Sequence, residues 1–178
     1  MRFERRDAAV RRFVIRPLTA DRVEQAFPVV QSALRALPLA RWRAYARRLA
    51  KSRSAGVLAA FDEQGYIAGL FSFEVDRDLR HGRVLRVRHL VAVDLIDPGP
   101  VLGALLQAIE ETAVQRRCDR ILIAQAPRTH DRSLDRLLAG HGYGMETVVF
   151  GKPVGGNQAP ALAASERRDV DATYHDLH

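Results

Sequence analysis

His89 stands out because it interrupts an apolar run. It sits within Leu85-Arg86-Val87-Arg88-His89-Leu90-Val91-Ala92-Val93, two residues before Val91. An imidazole titrating near neutrality suits taking a proton from an ammonium, so His89 is a candidate general base; the alternative is a half-buried histidine satisfied by a neighbour. Glu74 ends the preceding strand, where a carboxylate can bind a cationic acceptor or act through water, or stand as an exposed strand-end charge. Arg86 and Arg88 share one face of the run, as holders of an acidic group or as a solvated edge. His130 adjoins Asp131, but adjacent residues rarely form a working pair, and His141 reads as a complement to a helix C-terminus. Cys118 follows Arg116 and Arg117, which favour a thiolate, yet no partner marks it as a nucleophile. No His/Cys/Asp spacing suggests a metal site, and no Gly-x-Ser-x-Gly motif occurs.

Downstream of His89 the sequence offers an anion site. The stretch His89–Leu106 reads as a buried strand, a turn over Asp97-Pro98-Gly99-Pro100, and an amphipathic helix. A helix beginning just after a strand presents its free backbone N–H groups to an anion. Pro98 and Pro100 have no N–H, and Val101 is β-branched and resists positive φ. Leu102, Gly103 and Ala104 are the donors expected to remain.

The elements that must position these residues follow from periodicity. Phe13–Arg16 reads as a strand stopped by Pro17, and Thr19 as an N-cap with Asp21 in the first turn. Val23, Phe27, Val30, Leu34 and Leu37 recur at helical spacing, with Pro28 expected to kink or split the helix and Pro38 to end it. A second helix carries Trp42, Tyr45, Ala46 and Leu49 inward, and Arg41, Arg47, Arg48 and Lys51 on a solvated face. Residues 55–61 and 66–75 form a hairpin around Asp62-Glu63-Gln64-Gly65. After a turn over 78–82, residues 84–93 make a long strand whose alternation predicts one buried face and one partly wet face. A helix over 98–116, an apolar strand over 120–124, a helix over 131–141 stopped by Gly142, and a last strand over 145–150 complete the order β-α-α-β-β-β-α-β-α-β. Hairpins followed by a strand–helix–strand crossover predict an α/β fold: a central mixed β-sheet flanked by helices.

Bulk properties bound the class. The chain has 178 residues, 47% of them hydrophobic, enough for one full core. The expected division is a flexible N-terminus over 1–12, one domain over 13–153 and a flexible tail over 154–178 that starts with Gly155-Gly156-Asn157-Gln158. A single cysteine excludes an intramolecular disulfide and, with no apolar leader or spanning segment in the sequence, leads to the expectation of a cytoplasmic protein without membrane attachment. The net charge of +7 favours acidic partners. The basic residues are nearly all Arg, with Lys only at two positions, a skew that genome composition produces alone. Nucleic acid is therefore not the expected partner, because a basic balance by itself is a weak footprint.

Three motifs resemble the GNAT (GCN5-related N-acetyltransferase) superfamily over about residues 13–152. The family's Arg/Gln-x-x-Gly-x-Gly/Ala loop falls on Pro98–Gly103, with Gly103 matching the last glycine and Gly99 a common small residue. Gly142-Tyr143 resembles the closing Gly-Phe/Tyr, and Val148–Lys152 the final strand. Pro98 and Val101 depart from the loop pattern, and Leu138 stands where the family often has a Tyr general acid. The resemblance implies a GNAT-like acyltransferase with acetyl-CoA or another acyl-CoA as co-substrate and no metal. It would transfer an acyl group directly to a small-molecule or peptide amine, as a monomer or homodimer. Backbone groups near Val91 and Val93 would polarise the thioester, and Gly99, Val101, Leu102, Gly103 and Ala104 would meet the pyrophosphate. The departures leave a second reading, a catalytically inactive binding or regulatory module on the same fold.

Overall fold

A computed structural model describes residues 12–93, 97–124 and 132–146. The chain divides into two units, Met1–Ala126 and Pro127–His178. The sequence-predicted last strand over 145–150, the expected tails and the His130–Asp131 pair fall wholly or mostly outside the described residues.

In the first unit, strand β1 (Val14–Pro17) leads into a 3-10 turn (Ala20–Arg22) and helix α1 (Phe27–Ala33). Pro28 lies in the first turn of α1 and starts the helix, so of the two expected outcomes, a kink or a split, the structure shows the split. Its fixed φ suits a first turn, and its missing N–H removes no helical bond there. The long predicted helix is thus a 3-10 turn followed by a short α-helix. Pro38 likewise precedes helix α2 (Leu39–Ala50), which buries Trp42, Ala46 and Leu49. The indole N–H of Trp42 donates to the Val23 carbonyl at 2.7 Å, tying α2 to the turn before α1.

Strands β2 (Ala55–Phe61), β3 (Ile67–Asp78) and β4 (Gly82–Ala92) form an antiparallel meander beside β1. Helix α3 (Gly99–Gln115) crosses to β5 (Arg120–Ile123), which pairs parallel with β4. The sheet order is β1-β2-β3-β4-β5. Pro17 is tolerated inside β1 because β1 is an edge strand.

One face of the sheet carries α1 and α2 over Val57, Ala59, Leu70 and Val91. The other face carries α3, which approaches closely at Gly69: a Cβ there would stand 2.8 Å from Val101 Cγ1 and 2.9 Å from Leu105 Cδ1. Only glycine lets the helix lie that near the sheet.

A β-bulge at Arg88 corrects the simple alternation predicted for β4. Ser72 pairs with His89 while Phe73 pairs with Val87, so Arg88 is the extra residue. Val87 therefore lies on the α3 face with Phe73, and His89 and Val91 lie on the α1–α2 face with Ser72 and Leu70. The extra residue reverses the facing of everything after it.

In the second unit, helix α4 (Arg132–Gly140) ends at Gly142, whose φ of +80° supplies the predicted stop. The Tyr143 N–H returns to the Leu138 carbonyl at 3.0 Å.

Candidate active site

The site is built where the described pairing of β5 with β4 ends. The parallel pairing runs from Val84–Arg120 to Val87–Ile123 and ends with the Ala124 N–H on the Val87 carbonyl at 2.8 Å. Beyond that point β4 continues to Ala92, with no further partner on this edge among the described residues. On its other edge the Val93 N–H donates to the Ala68 carbonyl at 2.8 Å. Alternation along an antiparallel ladder then turns Val91 toward β3 as well, and turns the N–H groups of Leu90 and Ala92 to the open edge. This corrects the expected donors. The amide of Val93 is spent within the sheet, and Val91 contributes its side chain to the α1–α2 core. Leu90 and Ala92 carry the outward N–H groups.

His89 follows the bulge and is half buried. Its ring meets the edge of Tyr45, from α2, with centroids 5.6 Å apart and an interplanar angle of 75°. The Tyr45 hydroxyl shares a 2.9 Å hydrogen bond with Ser72 Oγ, and Ser72 is only 1% exposed. A buried hydroxyl is costly without a partner, so this bond fixes the Tyr45 ring, and the ring fixes one side of His89. Burial first and the neighbouring Arg88 charge second hold the His89 pKa below the ordinary imidazole value. The imidazole is thus neutral at neutral pH, the form that accepts a proton.

Glu74 faces the same side but is held between two arginines. Oε1 accepts from Arg48 Nη2 at 3.3 Å, and Oε2 from Arg88 Nε at 3.2 Å. The Arg48 guanidinium also sits 5.4 Å from the Tyr45 ring centroid. Arg86, next along β4, is occupied by Asp76 and Asp78 at 3.5 and 2.7 Å.

The start of α3 has a different character from the expected anion site. Asp97 Oδ1 accepts the Gly99 N–H at 2.8 Å. The Leu102 N–H is donated to the Pro98 carbonyl at 2.9 Å. Gly103 and Ala104 lie inside the helix, where their N–H groups follow the ordinary i to i−4 pairing. Val101 is the one first-turn amide without a described acceptor, and the residue is fully buried. The expectation that Leu102, Gly103 and Ala104 donate to a phosphate is therefore corrected. The N-terminus is already capped by a carboxylate, and two prolines remove further donors. Gly103 does offer room, since a Cβ there would meet nothing within 4 Å.

Cys118 follows the α3 C-terminus. Burial, as the leading influence, raises its pKa despite nearby Arg83 and Arg116, which suits an inert thiol. Among the described residues no group of three His, Cys, Asp or Glu side chains converges as a metal site.

The aminoglycoside N-acetyltransferase AAC(6')-Iy, in complex with a bisubstrate analogue of CoA, superposes with a TM-score of 0.69 at 13% identity, covering 80% of this chain and 99% of that one. A ribosomal-protein-alanine N-acetyltransferase from Brucella melitensis biovar Abortus 2308 gives 0.61 at 20% identity, over 80% of this chain and 100% of the other. A Trypanosoma brucei acetyltransferase gives 0.62 at 15% identity, with 80% and 100% covered. The fold is that of the GNAT acetyltransferases. No family model and no curated protein sequence matches the chain. In this GNAT fold the edge of β4 beyond Val87 presents backbone groups that no described residue pairs. At the start of α3, Val101 is the one first-turn amide that no described acceptor takes.

Sequence reasoning named His89, Glu74 and the β4–α3 segment as candidates. It missed Tyr45 and Ser72 as a pair, because Tyr45 falls on the apolar stripe of α2 and reads as core. It missed the cap by Asp97, although Asp two residues before a Gly at a turn is a local signal for a side chain that accepts a backbone N–H. Leu90 and Ala92 were legible only once the direction of the ladder was known.

Proposed function

We propose that the protein is an acyl-CoA-dependent N-acyltransferase, with acetyl-CoA as the expected donor, acting by direct transfer to an amine. The observation that carries the reading is the edge of β4 at Leu90 and Ala92, unpaired among the described residues, immediately beside a neutral, half-buried His89 on a GNAT fold. The acyl group is supplied as a thioester. Leu90 and Ala92 lie where backbone N–H groups can polarise its carbonyl, and oriented donors of this kind are worth several kcal/mol, roughly 3–4 each. His89 takes the proton that the attacking amine gives up. The amine nitrogen forms its bond to the acyl carbon, the C–S bond breaks with its electron pair on sulfur, and the thiolate is protonated. Leu138 lacks a proton to give, so that last proton comes from another group or from solvent. A neighbour of the same fold binds CoA linked to acetylneamine, which supports a small-molecule amine as acceptor.

A specific observation favours the second reading, a non-catalytic module. Asp97, Pro98 and Pro100 leave the start of α3 with little to offer a pyrophosphate. Calorimetric titration of acetyl-CoA and free CoA into the purified protein separates the two. Micromolar binding supports the enzyme, and no binding up to millimolar ligand supports the module. Gly103→Glu places a carboxylate at the inferred phosphate position without a steric clash at Cβ. It is expected to abolish CoA binding while leaving the melting temperature nearly unchanged.

A further inference from the structure

Charge on this fold is unevenly placed. From residue 12 to 53, the segment holding α1 and α2, ten side chains are basic and only Asp21 and Glu24 are acidic. Part of that excess converges on the site. Arg48 of α2 and Arg88 of β4 share the single carboxylate of Glu74, one on each oxygen. Each guanidinium uses one nitrogen on Glu74 and has no further acceptor for the others among the described residues. Their side chains are 64% and 53% exposed, so those N–H groups face solvent. Two positive charges against one negative leave a surplus beside His89. Arg86, by contrast, is matched by both Asp76 and Asp78.

This arrangement constrains what the acceptor carries besides its amine. A polycation would meet uncompensated like charge at Arg48 and Arg88. A carboxylate would meet two guanidinium groups whose planar forks match it and whose positions are already set. Glu74 holds both, the Tyr45 ring underlies Arg48, and the bulge fixes the backbone at Arg88. We propose that the acceptor is a small amine bearing a carboxylate, bound by Arg48 and Arg88 so that its amine reaches His89. This rests on the acyltransferase reading and names the substrate class for the same site. It assigns Glu74 to holding the arginines, in place of the base or cation-binding role read from the sequence.

The test is equilibrium titration of the full chain with ω-amino carboxylates of graded length, their carboxamides, and diamines of matching length. The same series is repeated with Arg48→Gln, Arg88→Gln and Glu74→Gln. One carboxylate length is expected to bind at least about fivefold more tightly than its amide, and each arginine variant to lose about fivefold, as befits partly exposed ion pairs. Glu74→Gln is expected to tighten carboxylate binding, since it removes the competing anion. Equal or absent binding across the panel, a preference for diamines, or arginine variants that keep the selectivity would overturn the inference. Acyl transfer from acetyl-CoA is measured on the same panel. Carboxylate-selective binding without turnover would remove the acyltransferase reading and leave the anion site standing. Turnover that prefers diamines would keep the enzyme and remove the anion site.

Discussion

His89 is held neutral by its surroundings, and that has consequences for pH. Its folded pKa lies below the ordinary imidazole value, with burial the larger cause and Arg88 the smaller. The acid limb of kcat/KM for acyl transfer is therefore expected to inflect below about 6.5. His89→Gln is expected to lose that limb and about a hundredfold in kcat/KM; a variant with the limb intact would exclude His89 as the base. Stability follows the same shift with a defined sign. Between the lowered folded value and the ordinary one, the unfolded chain holds a proton that the folded chain rejects. Stability thus rises with pH across that window and is lost as pH falls through the folded value. Denaturant melts at a series of pH values check this, and His89→Gln should flatten the slope. Tyr45 acts through packing. Tyr45→Phe keeps the ring against His89 but leaves Ser72 Oγ buried without this partner. A loss of about 1 kcal/mol by chemical denaturation is expected, with the pH profile unmoved. At this scale the sequence was informative about chemistry and silent about partners. A histidine in an apolar run announces itself, whereas Tyr45 at the spacing of Trp42 and Leu49 is indistinguishable from core until Ser72 is placed opposite it.

At the level of elements, the two helix C-termini make a natural comparison. Helix α4 ends with Gly142 at positive φ, the Gly142 N–H on the Ala139 carbonyl and the Tyr143 N–H on the Leu138 carbonyl. Helix α3 ends in the same double-bonded pattern, the Arg117 N–H on Val114 and the Cys118 N–H on Ala113, but the left-handed position is Arg117 at φ 53°. A residue with a Cβ is strained in that conformation by about 1–2 kcal/mol, and glycine is not. Arg117→Gly is expected to stabilise the fold by about 0.5–1 kcal/mol after glycine's greater unfolded-state entropy is counted. A lower melting temperature would mean that the Arg117 side chain contributes contacts outweighing the strain. The opposite sign is expected at Gly69, where an added methyl group meets Val101, Leu105 and the Val91 carbonyl oxygen, all within 2.9 Å. Gly69→Ala should cost about 1–3 kcal/mol by forcing α3 away from β3. A stop such as Gly142 was legible because it is local chemistry, whereas Pro38, read as the end of one helix, is the N-cap of the next. The bulge at Arg88 was not legible. An inserted residue leaves no mark on an alternating sequence, and only the pairing of Ser72 with His89 and Phe73 with Val87 exposes it. Pro28 left two outcomes open for a related reason: a proline in a periodic run marks either a kink or a split, and the 3-10 turn before it decides which.

For the molecule as a whole, the order of elements was readable because many are punctuated by Pro or Gly and most have a clear period. The basic excess over 12–53 is legible in the sequence, but the sidedness at the site comes only with folding, which brings Arg48 of α2 and Arg88 of β4 onto Glu74. That sidedness makes ionic strength a probe of the site. Exposed charges act over about 8–10 Å at moderate salt, so the field of α2 reaches an approaching acceptor only when screening is weak. For a carboxylate-bearing amine, kcat/KM is expected to fall severalfold, roughly three- to tenfold, from low to physiological ionic strength. The matching carboxamide should show little change and a diamine the opposite trend. Arg41 and Arg47 are exposed on α2 and make no described contact with Glu74 or His89. Replacing both with Gln should weaken the salt dependence while leaving kcat at saturating acceptor unaltered, since steering changes encounter and leaves the bound geometry alone. If instead the salt dependence persists in that variant and vanishes in Arg88→Gln, the attraction is local to the Glu74 cluster and the wider basic face of α2 is only a solvated surface.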